Sequence, residues 1–255
     1  MRAEPMTALR QDGFLGGRLA LWQPVAGYRA GIDAVLLAAA TPARAGQDVL
    51  ELGCGAGVAS LCLAARVPGL SLTGVELQPA YAALAGRNAA ETGLPLEVVT
   101  ADLTALPPGV KARSYDHVIM NPPYFRRDCG SAAPDPGRET AMGEATPLAD
   151  WVAVAARRLR PGGRLTAIQR AERLPELLCA AAAVFGAIEL LPLAPRPGRA
   201  AKLVLLAARK GRQGPFRLHP PLVLHEGAAH LGDGDSYTAE LTDILRHGEA
   251  LSWRG

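Results

Sequence analysis

The sequence predicts an α/β fold: a mostly parallel sheet with helices on both faces and an antiparallel hairpin toward its C-terminal end. Three observations carry this. Short β-rich apolar runs alternate with longer stretches of helical apolar spacing through most of the 255 residues. Gly, Pro or Asp bounds each run, and after Gly186 the alternation gives way to two apolar runs separated by "RPGR". In chain order, "GIDAVLLAAATP" (31–42) predicts a helix and "DVLEL" (48–52) the first strand. "SLTGVEL" (71–77), "LEVVTA" (96–101), "DHVIMN" (116–121) and "RLTAIQ" (164–169) supply four further strands. The crossover helices between them are "VASLCLAARV" (58–67), "PAYAALAGRNAAETG" (79–93) and "PLADWVAVAARRLRPGG" (147–163), with "AERLPELLCAAAAVFG" (171–186) after the fifth strand. "AIELLPLAP" and "AKLVLLAARKG" form the hairpin.

No repeat or linker divides the chain, so a single domain is expected over 1–255, with residues 46–211 as its core and 1–45 and 212–255 flanking it. The stretch 124–147 has no periodicity, and a loop of that length in a compact domain is usually functional or mobile. Hydrophobic content of 49% is ordinary for a globular protein. No uninterrupted run of 18 apolar residues occurs and the N-terminus lacks an apolar signal centre, which predicts a cytoplasmic protein without membrane contact. Cys54, Cys62, Cys129 and Cys179 form no CxxC pair and have no histidine at metal spacing, so reduced thiols and no metal site are expected. The net charge is only +3, but Leu190 to His225 carries seven Arg or Lys and no acid.

"VLELGCGAGVASLCLA" places Gly53, Gly55 and Gly57 at a strand-to-helix turn, where absent side chains let backbone approach a ligand. The dinucleotide fingerprint requires a glycine where Val58 stands, which removes support for NAD. Acids take up the pattern instead. Glu51 precedes the turn, Glu76 closes the second strand, where a carboxylate can accept from a ribose diol, and Asp102 closes the third, within reach of an adenine amino group. Each acid alone also reads as a helix N-cap, Asp102 before "LTAL" most of all. Together they form a crevice at the carboxyl ends of successive strands.

This ordered set resembles class I S-adenosylmethionine-dependent methyltransferases, over about residues 28–211. The resemblance implies a Rossmann-like, seven-stranded sheet and S-adenosylmethionine as cofactor. It assigns the methionine part to Glu51, Gly53, Gly55 and Gly57 with Cys54, the ribose to Glu76 beside Leu77, and the adenine to Asp102 beside Leu103.

"NPPY" (121–124) ends the fourth strand. An exocyclic aromatic amine, like a side-chain amide, attacks poorly because its lone pair is delocalised. Acceptors aimed at its two hydrogens localise that pair. Asn121 offers a side-chain carbonyl and Pro122 a backbone one, Pro123 stiffens the chain that presents it, and Tyr124 can stack on a planar group. The tetrad resembles the NPPY signature of methyltransferases that act on adenine N6 or on glutamine amides, and Asn121 there also borders the cofactor.

"GYR" and "IDAVLLAA" are similar to the N-terminal segment of bacterial tRNA(Val) N6-adenine methyltransferases, which implies that Tyr28, Arg29, Gly31 and Asp33 close over the cofactor. Asp33 also reads as a cap of its own helix. The expected activity is N6 methylation of adenine in tRNA. Methylation of a release-factor glutamine, or of an amino group in DNA or rRNA, is the alternative. For an RNA partner, Arg126 and Arg127 follow the tetrad, and Arg196, Arg199, Lys202, Arg209, Lys210 and Arg212 lie in or near the hairpin as candidate phosphate contacts.

Overall fold

A computed structural model describes residues 8–126, 143–144, 146–227 and 236–253. The central sheet is built from strands β3 (Asp48–Leu52), β4 (Ser71–Glu76), β5 (Glu97–Thr100), β6 (Tyr115–Met120), β7 (Leu159–Arg170), β8 (Gly186–Ala194) and β9 (Leu203–Arg209) in the order β8-β9-β7-β6-β3-β4-β5. Only β9 runs antiparallel to its neighbours, so the expected hairpin is present and its second strand inserts between β7 and β8. Two short strands, Arg217–Leu218 and Leu222–Val223, pair with β8 and bring the sheet to nine strands rather than seven.

Alternation along each strand sorts the core into two apolar layers. Ile119, Ile168 and Leu205 face one layer with helices α1 (Ile32–Ala40) and α2 (Val58–Arg66). Val118, Met120, Leu165 and Leu206 face the other, with α4 (Leu148–Arg158) and α5 (Leu174–Ala182). Helix α3 (Pro79–Thr92) begins with a proline at its first turn and stops at Gly93, which adopts the left-handed conformation usual after a helix. Among the described residues no helix is long and apolar enough to cross a membrane.

Three boundaries differ from the sequence-based expectation. The helix predicted over 147–163 ends at Arg158, and β7 starts at Leu159, five residues early. Its register with β6 slips between Tyr115 and His117, so "RPGG" is absorbed as a bulge inside the strand. The N-terminal segment is no loose flank: β1 (Leu9–Phe14) and β2 (Leu19–Pro24) form a hairpin, and Asn88 of α3 bonds both the N–H (2.8 Å) and the carbonyl (3.0 Å) of Trp22. The C-terminal segment likewise joins the core through Leu241, Ile244 and Leu251. Leu251 N and Trp253 Nε1 donate to the carbonyls of Ala39 and Ala40 at the end of α1 (2.9 and 2.8 Å).

Candidate active site

A cavity of about 670 Å³ opens at the carboxyl ends of β3, β4, β5 and β6, beside the point where the strand order reverses. Its lining joins Gly53, Gly55, Glu76, Leu77, Asp102 and Leu103 to Tyr28, Arg29, Gly31 and Asp33, and to the whole Asn121–Tyr124 tetrad. Most of the residues expected from sequence therefore meet in one place.

Glu76 lies at the cavity wall, 7% exposed, with each carboxylate oxygen taking one backbone N–H: Oε2 from Gly55 (2.9 Å) and Oε1 from Gln78 (2.8 Å). Burial raises its pKa against these bonds. A carboxylate oxygen has a second acceptor position, so the pair remains able to receive two hydroxyls. Asp102 both lines the cavity and caps the following turn, accepting from Thr104 N and Oγ1 at 2.7 Å each.

Three predicted cofactor contacts lie elsewhere. Glu51 is outside the lining: its Oε2 accepts from Ser60 N (3.0 Å) and Ser60 Oγ (2.5 Å), fastening the first turn of α2. An acid just ahead of a strand-to-helix turn can satisfy that helix instead of a ligand. Gly57, at φ +82°, is outside the lining, and a Cβ there would lie 3.0 Å from Leu96 Cδ2 and 3.3 Å from Ala85 Cβ. Cys54 is buried beside Gly74.

Burial raises the Glu51 carboxyl to about 8 despite the Ser60 bonds. Because the folded value exceeds the unfolded one, the contribution to stability is complete below the unfolded value near 4.5 and is lost as pH climbs toward 8. Glu51→Gln keeps an acceptor for Ser60 and cannot ionise. It is expected to stabilise the fold by several kcal/mol (on the order of 4) at pH 8 and to bring no gain at pH 4, which thermal melts at the two pH values check.

Asn121 connects the tetrad to α1. Its Nδ2 donates to Asp33 Oδ2 at 2.9 Å, and the Tyr124 hydroxyl donates to the same oxygen at 2.6 Å. Asp33 Oδ1 accepts from Gly31 N (3.0 Å). Burial, and then the neighbouring Asp33, raise the Tyr124 phenol far above its usual range, so it remains a donor. A carboxylate oxygen carries no hydrogen and only accepts, so the amide presents Nδ2 to it and turns Oδ1 the other way. That Oδ1 is buried and has no hydrogen-bond partner.

Beneath the tetrad, Gln169 Nε2 donates to the carbonyls of Pro122 (3.2 Å) and Pro123 (3.4 Å), and Arg173 Nη1 donates to Pro123 (3.0 Å). Tyr28 is clasped by Tyr81, whose hydroxyl accepts from Tyr28 N (2.8 Å) and donates to its carbonyl (3.1 Å). Arg29 is held by Asp12 of β1 at 2.7 Å.

Residues 29–191 match the family model described as the methyltransferase small domain. The chain belongs to this family. As an S-adenosylmethionine-dependent methyltransferase it has relatives named tRNA1(Val) (adenine(37)-N6)-methyltransferase. One, from Dickeya chrysanthemi (strain Ech1591), is 31% identical over 80% of this chain and 81% of its own length. Another, from Enterobacter sp. (strain 638), is 33% identical over 54% of this chain, and the match spans 58% of that relative. The crystal structure of a predicted O-methyltransferase from Agrobacterium tumefaciens superposes with a TM-score of 0.69 at 29% identity, covering 88% of this chain and 99% of that one.

The methyltransferase cavity fits its cofactor. Carboxylates suit a cationic donor, Leu77 (50% exposed) and Leu103 (8% exposed) give apolar walls, and two buried polar atoms of its lining residues, Asn121 Oδ1 and Trp151 Nε1, lack partners. Sequence reasoning missed Trp151, which covers Gly53 so closely that a Cβ there would lie 2.7 Å from its ring. It also missed Gln169 and Arg173, which read in sequence only as strand and helix residues.

The basic residues divide. Arg199 and Lys202 are exposed at the cavity end of the hairpin, next to the lining residue Leu203. Contrary to expectation, Arg196 is buried and bonds the carbonyls of Glu226 and Gly227, while Arg209, Lys210 and Arg212 lie at the opposite end of the sheet. Lys210 Nζ there donates to the Leu159 carbonyl at 2.7 Å. Arg127 and Cys129 fall outside the described residues, as does the side chain of Arg126.

Proposed function

We propose that the chain methylates the N6 amine of an adenine in tRNA. One observation carries this: Asn121 Oδ1, a buried acceptor with no partner, belongs to a residue that lines the cavity beside Tyr124. An acceptor fixed in a low-dielectric wall and left unsatisfied is suited to a donor that arrives with the substrate. The adenine relatives named above support the choice of base.

S-adenosylmethionine, when bound, supplies an electrophilic methyl group. Glu76 would accept from its ribose, Asp102 from its adenine between Leu77 and Leu103, and the backbone at Gly53 and Gly55, both in the cavity lining, would face its methionine part. Asn121 Oδ1 and the second lone pair of the Pro122 carbonyl accept the two hydrogens of the substrate amine. The nitrogen then pyramidalises and its lone pair is freed for in-line attack. Tyr124 stacks on the purine, and the amine proton passes to water once the new N–C bond has made it acidic. Arg199 and Lys202, at the cavity mouth, contact RNA phosphates. Residues 1–45 and 212–255 act with the 46–211 core as one unit.

Incubating the protein with labelled cofactor and separate pools of tRNA, rRNA, DNA and release factor tests this. Label is expected in tRNA as N6-methyladenosine. Label in the release factor and not in nucleic acid would overturn the proposal.

A further inference from the structure

At the end of the sheet away from the active site, a second cavity of about 420 Å³ lies where β6 and β7 begin and β9 ends. His117, Arg164 and Arg209 stand in one lateral row there, since β6 pairs His117 with Arg164 and β9 pairs Arg209 with Arg164. Laterally paired residues project from the same face of a sheet, so this register sets two guanidinium groups and an imidazole side by side, an arrangement that costs stability without a counter-charge. Arg44, Arg160 and Arg212 complete the basic lining.

The carboxylates present are already committed. Arg160 bridges Asp48 (2.6 Å) and Asp116 (2.8 Å), and Glu189 is shared between Arg164 (3.2 Å) and His219 (3.0 Å). Five arginines thus meet three carboxylates, and among the described residues Arg44, Arg209 and Arg212 have no acid within ion-pair distance.

Arg164 is the sharpest sign. It is 6% exposed, lies 4.9 Å from the Trp253 ring, and uses only Nη1 for an ion pair; Nε and Nη2 are buried without partners, as is His117 Nδ1. A buried guanidinium with two idle donors is costly, and bidentate oxyanions are what its fork geometry matches best. Burial depresses His117 to about 4, with Asp116 pulling the other way and Arg164 and Arg209 adding to the depression.

We propose that this cavity binds a phosphate-type oxyanion, gripped by Arg164, Arg209 and Arg212 with His117 beside it. The phosphate comes either from a free nucleotide or pyrophosphate, or from an RNA backbone. The site is independent of the methyl-transfer reading and stands or falls separately from it.

The full-length protein is titrated at constant ionic strength with pyrophosphate and, separately, with a short RNA hairpin, following the His117 ring resonances by NMR and binding by calorimetry. Saturable shifts at His117 with pyrophosphate identify a free anion as ligand; shifts with RNA alone identify the backbone. In either case Arg209→Gln with Arg212→Gln should weaken binding at least about tenfold while the thermal melting of the fold and binding of the methyl donor are retained. Should neither probe move His117 beyond a matched chloride control, or should parent and double variant bind equally, the proposal is overturned.

Discussion

Asn121→Ala is expected to lower the rate of methyl transfer by about 10³-fold or more and to leave affinity for the cofactor within about threefold. In the proposed clamp the side-chain carbonyl acts only as the attacking nitrogen becomes pyramidal, so its loss falls on kcat. The cofactor contacts proposed for Glu76 and Asp102 sit on β4 and after β5 and do not depend on it. Asp33 would still accept from Tyr124 at 2.6 Å, so the pocket keeps its form. Single-turnover methylation, together with calorimetric binding of the demethylated cofactor, separates the two effects. Undiminished turnover would remove the clamp from the mechanism.

Asp33→Asn should cost about 10²-fold in kcat through an atom that never meets the substrate. The replacement amide carries a donor as well as an acceptor. It can therefore satisfy Asn121 in the flipped orientation, with Oδ1 drawn toward α1 and Nδ2 turned to the substrate, where two donors would oppose each other. Asp33 is on this account a positioning residue. A double-mutant cycle checks it: in an Asn121→Ala background, Asp33→Asn should have little further effect on kcat, whereas a role confined to stability would persist unchanged.

Much of the candidate site was legible because its residues sit at strand ends. A run that closes in Glu76, or that breaks at "NPPY", announces its position along the sheet, and the parallel order then gathers those ends together. Asp33 was legible as a site residue, but its partners were not, since the contact with Asn121 joins positions 88 apart and leaves no local pattern. Glu51 has a partner that the strand-end pattern does not display: an acid at a helix start can satisfy the helix, and Ser60 N and Oγ donate to its Oε2. Gln169 and Arg173 hold the tetrad by its backbone carbonyls, a contact indifferent to the side chains a sequence displays. Of the basic hairpin, composition gave the charge, but only register showed that Arg209 turns to the far end of the sheet while Lys202 stays near the cavity. The N-terminal hairpin was overlooked although Leu19 and Leu21 alternate with exposed or half-exposed neighbours around a Gly-Gly turn.

The helix that carries Asp33 ends on carbonyls bonded by Leu251 and Trp253, the latter contact closing 213 residues of chain. Closures of that span are slow and come after local structure has formed. During refolding, the sheet and the strand-end acids Glu76 and Asp102 can therefore take shape before α1 is locked, and the capacity to orient the Asn121 carboxamide should return in the last kinetic phase, together with the burial of Trp253.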